Sequence, residues 1–228
     1  LGSAGSDNLL LISNGGSVEA TQLWIGDNSS GFNNVLRLSA GSLIAPIPNV
    51  YDQCRIEGDG VITGDITLES GGILSPGIGI GIITNIGDVE FSVGSVFEVE
   101  INGVTPGVDH DQLVVNGSVD LAGNINSNTL ELSLGYVPAL GTEFMIVQND
   151  GSDAVTGLFD GAPEGSKVLT VGAISLEISY VGGTGNDVVL LAVPSGPISW
   201  IGGVTSDYHD TRSWSSSFVP RLQDDAYF

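Results

Sequence analysis

Few side chains in this sequence combine the right type with the right spacing for chemistry. Gly182-Gly183-Thr184-Gly185-Asn186-Asp187-Val188-Val189-Leu190 fits the calcium-binding nonapeptide G-G-x-G-x-D-x-U-x at each fixed position. Calcium sites of that kind draw on two consecutive turns, and a single copy is present, so a turn is the favoured reading. Asp109-His110-Asp111 and Asp207-Tyr208-His209-Asp210 hold the only 2 histidines beside carboxylates. Paired oxygens suit calcium, and His with Asp suits a transition metal. Neither cluster has helical ligand spacing, and both read as solvated turns in which Asp111 bonds its own backbone. Asp109, Asp111 and Asp187 are the calcium candidates that result, and no other cofactor is expected.

Catalytic readings find less support. Glu98 and Glu100 alternate along a strand pattern and would share one face about 7 Å apart. Carboxylates at such a separation can flank a glycosidic bond, but any alternating strand produces it. β-Elimination also needs a base beside the uronate, and Arg37, Arg55, Lys167, Arg212 and Arg221 are scattered. No G-x-S-x-G elbow exists, and Cys54 has no histidine near it in sequence. As the only cysteine it allows no intrachain disulfide, and a small buried hydrophobe is its expected role. Trp24 and Tyr136 offer rings on which sugars stack, although core packing is the default for either. Catalysis is not expected.

The elements that would position these residues are strands. Asp88 to Val93, Phe97 to Ile101, Thr129 to Leu134 and Ile174 to Tyr180 alternate polar and apolar residues. Successive strand side chains point to opposite faces, so this period means one face buried and one wet. Turns fall at Asn-Gly, Gly-Gly and Ser-Gly pairs, and 34 glycines in 228 residues is roughly twice average usage. No convincing amphipathic helix occurs. Residues 45 to 53, with Pro46 and Pro48, read as a loop excursion. Strand runs recur every 20 residues or less, which fits either an antiparallel sandwich or barrel or a β-solenoid. Alternation alone does not choose between them.

Charge narrows the partners. With 5 basic and 27 acidic residues the net charge is −22, which repels nucleic acid and anionic membrane surfaces. No apolar run approaches the length of a membrane span, so membrane insertion is not expected. Leu1 to Ser6 reads as the interior of a longer or processed polypeptide.

A specific resemblance appears from residue 71 onward. Ser75-Pro76-Gly77, Ile82-Ile83-Thr84, Gly87-Asp88-Val89 and Gly94-Ser95-Val96-Phe97-Glu98-Val99-Glu100-Ile101 follow in order. Asp109-His110-Asp111-Gln112-Leu113-Val114-Val115-Asn116-Gly117, Pro138 to Phe144, Val155 to Phe159 and Tyr180 to Leu190 continue the series. Together they resemble the autotransporter-associated β-strand repeat over residues 71–192. One departure is Ile78-Gly79-Ile80-Gly81, where the family often repeats its Ser-Pro-Gly turn. That change is expected to reshape a corner and leave the coil intact.

The resemblance implies an all-β, right-handed parallel β-helix, exported to the surface of a Gram-negative-type bacterium. On this reading residues 1–194 form the helix. Residues 195–228 resemble the aromatic opening of a further module, so Trp200, Trp214 and Phe228 are candidates for contact with the next unit. The expected role is a non-catalytic extracellular structural or adhesive module of a surface protein or of a head-to-tail fibre. Its expected partners are neighbouring copies or adjacent repeats, and surface glycans. A polysaccharide-active enzyme on the same fold and a calcium-dependent adhesin repeat are the alternatives.

Overall fold

Strands form where alternation predicts them and end where Gly, Asn or Asp supplies a turn. The computed structural model describes the chain apart from residues 3–4, 28–30, 122–127, 203–206, 217–218, 222–225 and 228. The first part of the chain holds β1 (Leu9–Ser13), β2 (Ser17–Glu19), β3 (Val35–Ile44), β4 (Ile47–Val50) and β5 (Arg55–Thr63). Next come β6 (Ile66–Leu68), β7 (Ile73–Pro76), β8 (Ile82–Ile86), β9 (Val89–Phe91) and β10 (Val96–Ile101). β11 (Gln112–Asn116), β12 (Val119–Leu121), β13 (Thr129–Leu134), β14 (Glu143–Asn149) and β15 (Thr156–Gly157) complete the series. Among the described residues the only helix is a 3-10 turn at Thr211–Ser213.

Pairing sorts these strands into parallel rows. One row runs β1–β3–β5–β7–β10–β13. A second runs β2–β3–β5–β8–β11–β14, with β3 and β5 long enough to serve both. A third, in a separate sheet, runs β4–β6–β9–β12–β15. Register keeps like side chains in line. Leu10, Leu36, Ile56, Leu74, Phe97 and Leu130 are successive partners in the first row. All but the two end members are fully buried, so the alternation seen in sequence becomes an unbroken aliphatic and aromatic seam.

In the large sheet the parallel order expected through residue 194 stops at β14. β18 (Asp187–Pro194) joins β14 antiparallel, β17 (Ile174–Gly182) joins β18, and β16 (Lys167–Val171) closes the edge. The large sheet is therefore mixed, and its 13 strands curl into a nearly closed, barrel-like wall. These last strands are joined by short turns, which suit antiparallel neighbours, whereas parallel neighbours need a crossover. They seal the apolar interior with rings. Phe97 stacks on Phe159 at 6.1 Å, Phe91 meets both edge-on, and Tyr180 of β17 lies 6.4 Å from Phe159. The Tyr180 hydroxyl donates to the Ala162 carbonyl and accepts the Phe159 N–H.

Residues 45 to 53 are not a plain excursion, because Ile47–Val50 is β4. That strand ends the five-stranded sheet, and on its far side the Leu23 and Ile25 N–H groups donate to the Pro46 and Asn49 carbonyls. The Ile78–Gly81 departure behaves as expected: Ile78 is exposed, Gly58 and Gly77 exchange both backbone bonds across the corner, and β8 resumes its pairing. In β13 no residue is fully buried, so its alternation reflects a sheet edge.

Candidate functional site

The first row also lines up its outward side chains. Arg37 on β3 stands opposite Glu57 on β5, which stands opposite Ser75 on β7. β10 packs beside β7 and carries Glu98 opposite Glu131 of β13. Arg37 Nε donates to Glu57 Oε1 at 2.6 Å, and Arg55 Nη1 lies 3.6 Å from Glu57 Oε2. The other guanidinium nitrogen of Arg55 holds Glu98. Glu57 is buried, and two flanking guanidiniums offset the cost of taking its charge out of water. Arg37 and Arg55, scattered in sequence, are thus brought together with Glu57 and Glu98.

Beyond this network Ser75, Glu98, Glu100, Glu131 and Ser133 border a surface cleft of about 180 Å³. Glu98 and Glu100 share the outer face of β10, as the alternation predicts. A stripe of carboxylates, hydroxyls and one guanidinium can bond the hydroxyls of a sugar chain. General acid catalysis there would need an accessible carboxyl that keeps its proton, whereas neighbouring Asp111, bonded to the Glu100 N–H, is buried.

Asp111 is not the solvated turn residue expected. It is buried, and from just ahead of β11 it ties the residue before β8 to β10. Oδ1 accepts the Gly81 N–H at 2.9 Å and Oδ2 accepts the Glu100 N–H at 2.8 Å. Burial pushes its pKa up to about 7, with the charges of Glu100 and Glu98 adding to the rise and the two N–H bonds opposing it. A group so enclosed is a clamp and does not reach substrate. His110 beside it is also buried, its ring edge-on to Phe144 at 5.6 Å, and burial lowers its pKa. Asp109 turns the loop before it by accepting the Thr105 N–H.

Asp187 plays a similar part. Its oxygens accept the Asn149 and Thr184 N–H groups, so the nonapeptide residues form the β17–β18 turn and fasten it to β14. Among the described residues, no group of three or more His, Cys, Asp or Glu side chains is placed to hold a metal ion. Asp207 and Asp210 are local turn acceptors, for the His209 and Arg212 N–H groups. Cys54 is buried, as expected, and its thiol donates to the Gly31 carbonyl.

The aromatic candidates divide. Trp214 is buried within this chain, edge-on to Trp200 at 5.1 Å and to Tyr208 at 5.0 Å. Its indole N–H donates to the Tyr208 carbonyl. Arg221 anchors the segment through Glu177 of β17 at 2.8 Å. Phe228 lies outside the described residues. Trp24 is 54% exposed, against the expectation of core packing, whereas Tyr136 is half-buried against Phe144.

The signal that would have revealed the Arg37–Glu57 pair is a separation of 20 residues, one step between neighbouring strands of the first row. In comparison with known proteins, no protein-family model matches this chain and no curated protein matches it.

Proposed function

We propose that this chain is a non-catalytic structural or adhesive module of an extracellular surface protein, built as a right-handed parallel β-helix. One observation carries the reading: the in-register seam from Leu10 to Leu130, with its outward counterpart from Arg37 to Glu131. A chain whose neighbours repeat the same inward and outward positions is a stiff shaft with a patterned face. The ordered motifs of the autotransporter-associated repeat support the same reading and suggest display on a Gram-negative-type surface. The acidic exterior keeps such a shaft soluble. Negative-stain micrographs of the purified chain should show short rods, and a glycan array should give binding without cleavage. Globular particles with no elongation would refute the shaft.

A second reading, a polysaccharide-active enzyme, draws on Glu98, Glu100 and Glu131 beside Arg55. It predicts new reducing ends or unsaturated products from an acidic polysaccharide, lost together in Glu98→Gln and Glu100→Gln. A calcium-dependent adhesin repeat would instead show a melting temperature that climbs steeply with added calcium.

A further inference from the structure

Asn-Gly occurs three times in the chain, at Asn14-Gly15, Asn102-Gly103 and Asn116-Gly117. In such a pair the glycine nitrogen can attack the asparagine side-chain carbonyl, because glycine puts no Cβ in the way. Attack requires that the nitrogen lose its proton and that the backbone be free to turn toward the side chain. An N–H already given to an acceptor holds its proton, and a residue paired in a strand stays extended.

The fold treats the three pairs differently. Gly15 N–H donates to the Ala40 carbonyl at 2.8 Å, and Asn14 N–H donates to the Ser39 carbonyl. Gly117 N–H donates to Asp150 Oδ1 at 3.2 Å, and Asn116 is the last residue of β11, paired with Ile86. Among the described residues Gly103 N–H has no acceptor, and the Asn102 carboxamide has no hydrogen-bond partner. Asn102 is exposed, and the chain bends there as it leaves β10. Its Oδ1 lies over Gly135, where a Cβ would come within 1.8 Å. Gly103 in turn crowds Asp109: an added Cβ would sit 2.8 Å from the Asp109 Cβ. The corner therefore favours glycine at the one pair whose nitrogen is left unbound.

We propose that Asn102 is a self-modification site, at which the folded chain converts asparagine to aspartate and isoaspartate through a succinimide. The Gly103 nitrogen gives its proton to solvent base and bonds Asn102 Cγ. The bond from Cγ to the side-chain nitrogen breaks, and ammonia leaves with protons taken from water. Water then opens the ring at either carbonyl. Breaking the Cγ–N bond gives aspartate, and breaking the backbone C–N bond gives isoaspartate, whose Cβ lies in the main chain. Water enters, ammonia leaves, and nothing is oxidised or reduced. Either product sets a new carboxylate beside Asp109. Isoaspartate also lengthens the chain between two fastened groups. Asn102 N–H donates to the Asp109 carbonyl at 2.7 Å, and His110 Nδ1 donates to the Gly103 carbonyl at 3.3 Å. The loop leading to His110 and Asp111 therefore slackens as the chain ages, whatever the shaft displays.

Peptide mapping by mass spectrometry during incubation in mildly alkaline buffer tests it. In the folded chain Asn102 is expected to deamidate about tenfold faster than Asn14 or Asn116, since each of those must first give up a hydrogen bond. In urea the three pairs, alike in sequence, should react at similar rates. Fragment ions should show both aspartate and isoaspartate at position 102. The Glu100 N–H, held by Asp111, should exchange faster in the aged fraction than in fresh chain. Asn102→Gln, whose longer side chain cyclises far more slowly, should keep the exchange of fresh chain through the same incubation. Equal native rates at the three sites, or an Asn102 preference that persists in urea, overturns the proposal. Unchanged Glu100 exchange in fully converted chain would overturn the slackening of the loop.

Discussion

Asp111 receives the backbone N–H of Glu100 at 2.8 Å, although both carry carboxyl groups and Asp111 is almost wholly buried. The bond favours a charged Asp111, whereas burial and the Glu100 charge favour a protonated one. Burial wins, and the group titrates at about 7.

The sign of the resulting pH dependence follows. Between its ordinary value of 3.8 and about 7, folded Asp111 keeps a proton that the unfolded chain has released. Stability from this group therefore falls as pH rises through that window, by at most about 1.4 kcal/mol per unit, and levels off above it. His110 acts oppositely. Its lowered pKa makes folding resist protonation, so its contribution is lost as pH falls below 6.5. Thermal melts of Asp111→Asn should lack the decline from pH 6.5 to 7 that wild type shows, and His110→Gln should steepen the decline below it.

Phe159 links the parallel rows to the antiparallel closure, touching Phe91, Phe97 and Tyr180. Phe159→Ala should cost about 3–5 kcal/mol in urea unfolding. Because the closing strands lean on this ring, the loss should appear first as faster amide exchange in β17.

Gly58 has φ +101°, and a Cβ there would sit 1.9 Å from the Leu38 carbonyl oxygen. Gly58→Ala must move that backbone or break the Gly58–Gly77 pair. A loss of at least about 1–3 kcal/mol is expected on calorimetry, against near-neutrality for alanine at exposed Gly196.

Glu57→Gln removes the charge that Arg37 and Arg55 share in a mostly dry setting. The expected loss is about 1–3 kcal/mol, measurable by chemical denaturation. Arg37→Met in the same background should recover part of it, since the double change no longer leaves that guanidinium facing a neutral amide.

The alternation in Phe97–Ile101 and its relatives made the strands and their buried faces legible, because period 2 is a property of the strand itself. It did not distinguish β10, paired parallel, from β17, paired antiparallel, since both read the same way along the chain. The Arg37–Glu57–Arg55–Glu98 network stayed hidden for a related reason: its members meet through register, across separations of 20 and 43 residues. Asp111 looked like an exposed turn residue because the groups that hold its buried carboxylate, Gly81 and Glu100, lie 30 and 11 residues away in sequence. Trp24 misled in the opposite direction, its ring lying outside the seam that Ile25 enters.

The antiparallel closure has a consequence for biogenesis. Its strands are the last of the large sheet to be synthesised, so every earlier layer must wait, one terminus bare, until Pro194 has emerged. A polypeptide arranged this way gains its final layer only when its last strands have docked on β14.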